Sequence, residues 1–222
     1  MLASGPARPD TDPDFPTLHA ACRQLDFELT RPQYDSLVRY AQLLRDWNRR
    51  VNLVSRRDTA RILAYHVLDS MAAQSLVPPG ATVVDVGTGG GLPGIPLALA
   101  RPDVKVVLIE SSRKKSAFLA AALSAIPVAN ARLLNERAES LPALAGDVVV
   151  CRLAGSLPEV LRNAARHRRP SGTIVLYKTR GSDTELAASR RLLARWGLRV
   201  ASQKDILLPL SGVPRRFVVL GS

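Results

Sequence analysis

The sequence predicts an α/β fold in which helices cover both faces of a mostly parallel, seven-stranded sheet, with an antiparallel C-terminal strand and an N-terminal helical extension. Three observations carry this expectation. After Gly80, short β-branched runs alternate with helix-like stretches. Those runs are apolar throughout, without polar alternation, as strands buried on both faces require. The last two runs have no helix between them, which calls for a hairpin.

Residues 1–17 carry Pro6, Pro9, Pro13 and Pro16 among scattered acids, and they lack the basic start and apolar stretch of a signal peptide. They read as a disordered tail. Residues 18–78 read as a helical segment: Leu37, Tyr40, Ala41, Leu44 and Trp47 recur at three- and four-residue spacing, with Arg39, Arg45 and Asp46 between them. A second helix is expected after Asp58 as N-cap, carrying Ile62, Leu63, Val67 and Leu68. Pro78-Pro79-Gly80 closes the segment. In residues 79–222, strands are expected over Thr82–Val86, Lys105–Glu110, Asp147–Cys151 and Gly172–Tyr177. Helices should run from about Arg113 to Ser124, from after the Asp147–Cys151 strand to about His167, and from near Glu185 to Trp196. The terminal runs lie around Ile206–Leu208 and Phe217–Leu220.

With 31 Lys and Arg against 19 Asp and Glu in 222 residues, the formal charge is +12, which suits an anionic partner such as nucleic acid. A basic surface that serves only solubility is the plainer alternative. Cys22 and Cys151 are too few and too far apart for a disulfide framework or a zinc site, so no metal is expected and a reducing cytoplasm is the natural home. No apolar run reaches the length of about 18 residues that spans a membrane.

Asp85-Val86-Gly87-Thr88-Gly89-Gly90-Gly91-Leu92-Pro93-Gly94 is the sequence's main chemical signal. Gly89-x-Gly91-x-x-Gly94 satisfies the dinucleotide fingerprint and would make the chain a nicotinamide-dependent oxidoreductase. Gly87-x-Gly89-x-Gly91 starts directly after the strand, where the tight turn belongs, and is the register of a class I methyltransferase binding S-adenosylmethionine. Glycines there let the backbone approach the cofactor without a Cβ, and Pro93 and Pro96 suit the first turn of the next helix. Glu110 ends the second strand, where a carboxylate can accept hydrogen bonds from both ribose hydroxyls; alternatively it stabilises the dipole of the following helix. Asp85 either orients the loop or faces the cofactor's amino group. Arg137-Ala138-Glu139 stands where this fold reads adenine, though it could equally be a surface loop.

No Asn/Asp-Pro-Pro-Tyr stretch follows the fourth strand, which argues against exocyclic amino methylation, and no Pro-Cys pair is present to attack a pyrimidine. Cys151 reads as a buried structural thiol. Purine N7 has its own lone pair and needs no general base, so positioning alone can carry its methylation. His66, Asp69 and Ser70 superficially resemble a triad, yet their shared helix face favours a hydrogen-bonded junction. The spacing of Trp47 with Leu44 and Val51 favours packing over base stacking.

Asp46-Trp47-Asn48, Val51-Asn52-Leu53-Val54-Ser55, His66-Val67-Leu68-Asp69-Ser70 and Asp85 to Pro96 resemble the bacterial ribosomal RNA small-subunit methyltransferase G family, also called glucose-inhibited division protein B. Leu108-Ile109-Glu110-Ser111, Arg113-Lys114-Lys115, Phe118-Leu119, Arg137-Ala138-Glu139, Cys151-Arg152-Leu153-Ala154, Tyr177-Lys178 and Arg215 to Val219 extend the match from Leu18 to the C-terminus. The resemblance implies methyl transfer from S-adenosylmethionine to N7 of a guanine in a 16S rRNA loop, with the small ribosomal subunit or its precursor as partner and the enzyme acting as a monomer. By motif position, Asp85, Gly87, Gly89, Gly91, Leu92, Glu110, Ser111, Ser112, Ala138 and Glu139 belong to the cofactor site. Arg152 would face the methionine end or the target base. Lys178, Asn52 and His66 join it as candidates for positioning substrate. Arg49, Arg50, Arg56, Arg57, Arg113, Lys114, Lys115, Arg215 and Arg216 are expected to form a phosphate-contacting rim. Gly90 departs from the Ala or Pro common in the family, Glu110 from Asp, and Thr179 interrupts a Lys-Gly pair. A non-catalytic RNA-binding protein is the remaining alternative.

Overall fold

The computed structural model describes residues 11–152 and 156–222. Helix α1 (Phe15–Arg23) starts earlier than expected: the Asp14 side chain caps it by accepting the Thr17 N–H, and Pro16 stands in its first turn. Asp12 is anchored as well, paired with Arg45 at 2.7 Å and accepting the Leu63 N–H at 2.6 Å. The prolines and acids read as tail composition therefore act, from Asp12 onward, as a helix start and an anchor; Met1 to Asp10 lie outside the described residues.

Helix α2 (Arg31–Asn48) opens with a capping box between Thr30 and Gln33 and buries Leu37, Tyr40, Ala41 and Leu44, the expected stripe. The second expected helix is irregular. A 3₁₀ turn over Arg56–Arg61 is capped by Ser55, a wide turn covers Leu63–Val67, and α3 (Leu68–Met71) follows. Asp58 is not the cap, because its own N–H already donates to the Ser55 carbonyl inside the turn.

The sheet comprises β1 (Thr82–Val86), β2 (Lys105–Ile109), β3 (Ala131–Leu134), β4 (Gly146–Cys151), β5 (Arg168–Lys178), β6 (Arg199–Leu207) and β7 (Pro214–Gly221), in the spatial order β3-β2-β1-β4-β5-β7-β6. Strands β1 to β5 pair in parallel, and β7 runs antiparallel to both β5 and β6. Strand β3 is four residues long and only half-buried, so no apolar run announces it. Helices α4 (Gly94–Ala100), α5 (Arg113–Ala125), α6 (Leu157–Ala164), α7 (Asp183–Ala188) and α8 (Arg190–Arg195) complete the layers. The single helix expected near Glu185–Trp196 is thus two, broken at the buried Ser189.

Alternate residues of one strand enter opposite cores, which is why the strands read as continuous apolar runs. Val83, Leu108, Val150 and Val175 pack with the N-terminal segment, α4 and α5; Val84, Val107, Val149 and Ile174 pack with α6, α7 and α8. The helical segment is fastened to the sheet layer by Gln33, whose amide donates to the carbonyls of Leu99 and Ala100 at the end of α4. The strand order reverses between β1 and β4, where an α/β sheet opens a crevice at its carboxyl edge.

Candidate active site

The glycine loop leaves β1 at this reversal. Gly87, Gly89 and Gly91 have φ of 69°, 59° and 83°, a left-handed backbone that glycine alone adopts at little cost. The alternation begins at the first residue after the strand, which favours the methyltransferase register over the dinucleotide one. Gly87 and Thr88 donate their N–H groups to the Ile109 carbonyl at the end of β2, tying the loop to that strand. Asp85 is fully buried, and its Oδ2 accepts from Thr88 Oγ1 and from the Gly94 N–H, at 2.5 and 2.8 Å. Of its two expected roles, orienting the loop is therefore the one seen. Burial raises its pKa to about 7, against the opposing effect of those two donors. A Cβ at Gly94 would lie 2.2 Å from Leu108 and 2.7 Å from Asp85 Oδ2, so the helix meets the strand only through a glycine. Pro93 caps α4 and Pro96 lies in its first turn.

Glu110, only 7% exposed, sets one carboxylate oxygen 2.9 Å from the Gly89 N–H and the other 2.8 Å from the Ser112 N–H. Each oxygen keeps a lone pair for a further donor. Ser112 caps α5, so Glu110 stands both at a helix start and against the glycine loop. Gly87, Glu110, Ser111, Lys115, Ala138 and Glu139 line one cleft of about 310 Å³. Gly89 joins them through Glu110, whereas Gly91 and Leu92 lie on the loop's inner side: Leu92 is buried, and a Cβ on Gly91 would sit 2.5 Å from Ile95. The Ala138 carbonyl is already engaged by His167 Nε2 at 2.9 Å.

Arg152, just past β4, turns towards the N-terminal segment. Its Nε lies 3.1 Å from Asp69 Oδ2, and its Nη2 donates to His66 Nδ1 at 2.9 Å. Asp69 is fully buried and also takes both prongs of Arg215, at 2.7 and 2.8 Å. Because a guanidinium only donates, His66 Nδ1 must accept and the ring proton belongs on Nε2. Burial first, then Arg152 and Arg215, lower the His66 pKa to about 3. Ser70 donates to the His66 carbonyl and receives the Tyr177 hydroxyl on its own. These three residues thus form a junction and not a triad.

Several expected contacts take another form. Arg215 is bound to Asp69, and Arg216 to Asp205 at 2.7 Å and to Asp183, so neither offers a free cation to the rim. The three acids lie outside the motifs that hold these arginines, at separations of 146, 11 and 33 residues, which motif position does not reveal. Lys178 pairs with Glu185 at 2.8 Å. Asn52 is exposed on its turn; the neighbouring Asn48 builds that turn, with its side chain meeting Leu53 and Val54 backbone groups at 2.8–3.1 Å. Arg49, Arg50, Arg56, Arg57, Arg113 and Lys114 are exposed and Lys115 half-buried. Arg49 and Arg56 open onto one cavity of about 570 Å³, beside Asn48 and Thr59. Trp47 packs edge-on against Phe118, and Cys151 is buried, its thiol pKa pushed well up by desolvation. Leu153 and Ala154, part of the matching motif, lie outside the described residues.

Sequence reasoning placed Tyr40 only in the core, yet its hydroxyl donates to the Gly90 carbonyl within the loop. Among the described residues, no cluster of acids, histidines and cysteines could hold a metal. No helix there is long and apolar enough to cross a membrane.

The chain resembles the ribosomal RNA small subunit methyltransferase G of Laribacter hongkongensis, with 41% identity over 70% of this chain and 74% of that one. It is 35% identical to the Ralstonia nicotianae protein of the same name over 91% and 93% of the two chains. Among solved structures, the chain is similar in fold to M. jannaschii TYW2 in complex with AdoMet, with a TM-score of 0.56, 14% identity and coverage of 70% and 74%. A ribosomal protein L11 methylase from Lactobacillus delbrueckii subsp. bulgaricus gives 0.53 at 15% identity, over 69% and 76%. These structures share the class I methyltransferase fold expected from the sequence. The sequence profile described as rRNA small subunit methyltransferase G matches residues 33–207, and the chain belongs to that family.

Proposed function

We propose that the chain transfers the methyl group of S-adenosylmethionine to N7 of a guanine in 16S rRNA. The observation that carries the reading is the meeting of the left-handed glycine loop with Glu110, in a chain whose family profile spans both. When bound, S-adenosylmethionine supplies a methyl group made electrophilic by its sulfonium. The residues fit that group: Gly87 presents bare backbone to the cleft, and Glu110 keeps acceptor capacity for two ribose hydroxyls. Ser111, Ala138 and Glu139 complete the adenosine end.

Guanine N7 attacks with an in-plane lone pair and loses no proton, so the chain needs no general base there. Its work is to hold the acceptor in line with the methyl carbon and to exclude water. Neutral His66 and paired Asp69 fit a site without proton transfer. Arg152 is the candidate for orienting the guanine or the cofactor carboxylate, with its guanidinium fixed by three neighbours. The exposed cations Arg49, Arg50, Arg56, Arg57, Arg113 and Lys114, with Lys115, form the proposed phosphate rim, and the substrate is rRNA within the small subunit or its precursor. The chain would act as a monomer in the cytoplasm.

Mass mapping of 16S rRNA from cells with and without the protein tests this reading. A single guanine should lose its 7-methyl group and regain it on incubation of subunits with the protein and S-adenosylmethionine. Unchanged methylation would refute the assignment.

A further inference from the structure

We infer that Tyr40, in the helical segment outside the α/β domain, is a positioning residue for the cofactor loop. Tyr40 is fully buried, and its hydroxyl donates to the Gly90 carbonyl. Gly90 stands between two left-handed glycines in a five-residue stretch, Gly87 to Gly91, holding four glycines. Such a stretch has little intrinsic conformational preference, so its shape must be imposed by contacts. Beyond the bonds of Gly87 and Thr88 to Ile109 and Asp85, further hydrogen bonds do so. Glu110 holds the Gly89 N–H, Thr88 O receives the N–H groups of Gly91 and Leu92, and Tyr40 holds the Gly90 carbonyl. Of these hydrogen bonds, only that of Tyr40 comes from outside the sheet domain.

Helix α2 and the turn that follows it also wall the loop by packing. A Cβ built on Gly90 would lie 3.3 Å from Leu44 and 3.4 Å from Leu53, so both side chains already cover it. Asn48 fixes the turn that carries Leu53, and Phe118 of α5 packs 6.4 Å from the Tyr40 ring. With Tyr40 in place the Gly90 carbonyl is directed to the helix and kept away from the cleft. Without its hydroxyl, a buried acceptor loses its partner and the peptide is released to reorient. The loop would then have to be ordered at the expense of cofactor binding.

The test measures S-adenosylmethionine binding by calorimetry, and KM and kcat on small subunits, for the full chain and for Tyr40→Phe and Tyr34→Phe. Tyr34 is the control: it lies on the same helix and donates its hydroxyl to the Pro13 carbonyl at 3.1 Å, away from the loop. Tyr40→Phe should bind S-adenosylmethionine about tenfold more weakly, with KM for the cofactor raised to match and kcat at saturation near that of the unaltered protein. Tyr34→Phe should leave both constants unchanged. The inference is overturned if Tyr40→Phe keeps full affinity, if it loses kcat at constant KM, or if Tyr34→Phe weakens binding equally. Should Tyr40→Phe not fold, Leu44→Val, which keeps the hydrogen bond and trims the wall, should still weaken binding several-fold, and full affinity there is contrary. An unaltered protein that bound no S-adenosylmethionine would remove the cofactor assignment itself, an outcome separate from these.

Discussion

Asp69 is the shared counter-ion of two arginines: it lies 3.1 Å from Arg152 after β4 and 2.7 Å from Arg215 on β7, with its own side chain wholly removed from solvent. One carboxylate therefore balances two guanidiniums. Asp69→Asn would leave both cations without it, and removing one member of a buried pair costs about 3–5 kcal/mol. Urea unfolding should show a loss of that order, along with lowered methyl transfer. A loss under about 1 kcal/mol would mean that the pair is far better solvated than its burial indicates.

Gly91→Ala should weaken S-adenosylmethionine binding by about tenfold or more. The new Cβ meets Ile95 at 2.5 Å, and a φ of 83° is strained for alanine by about 1–3 kcal/mol. Gly80→Ala is the comparison, since Gly80 also has positive φ, 70°, but nothing stands within 4 Å of its Cβ. Calorimetry on both separates backbone strain from damage to the loop.

Glu110→Gln keeps the shape but removes the charge that accepts from Gly89 and Ser112. Hydrogen bonds to a charged acceptor are stronger by about 1 kcal/mol or more. Affinity for S-adenosylmethionine should fall roughly tenfold. Adenosine alone should show the same ratio, which locates the loss at the ribose end; an unaltered adenosine affinity would contradict the assignment.

His66 should stay neutral far into the acid range, because its pKa is lowered from 6.5 to about 3. The ring-carbon NMR shifts of His66 should be flat from pH 8 to pH 4, and a midpoint near 6.5 would contradict the buried junction. The unfolded chain takes up the proton first, so the stability contributed by this group is complete above 6.5 and is lost as pH falls towards 3.

Among the basic residues, Arg49 and Arg56 should matter to RNA binding and Arg216 should not. The first two are exposed on one cavity, whereas Arg216 is held by Asp205 and Asp183. Replacing both Arg49 and Arg56 by Ala should reduce the log–log salt slope of subunit binding by about 1.4–1.8. Arg216→Met should leave the slope unchanged, and an equal drop in both would dissolve the distinction.

The glycine loop, Glu110 and the layer order were legible because each depends on local pattern: left-handed glycines after a strand, a carboxylate at a strand end, apolar runs buried on two faces. Strand β3 and most of β6 were not, because edge strands expose one side and carry no apolar signature. The fates of Arg215 and Arg216 were hidden for another reason. Their partners lie 146 residues away for Asp69, and 11 and 33 for Asp205 and Asp183, and a charge shows nothing in sequence about which distant acid will take it. Tyr40 satisfied the helical stripe so well that its hydroxyl drew no attention.

The link from Asp69 to Arg215 joins the third helix to the final strand, across nearly two thirds of the chain. Contacts that span such separations form late in folding, since loop closure must come first. Asp69 gains its second guanidinium only when the last strand has docked beside β5. A chain still missing that strand can build the glycine loop, but its buried aspartate is held by Arg152 alone and lacks the two-pronged grip of Arg215. Removal of β7 should therefore loosen the Asp69 junction, and lower stability and methyl transfer together.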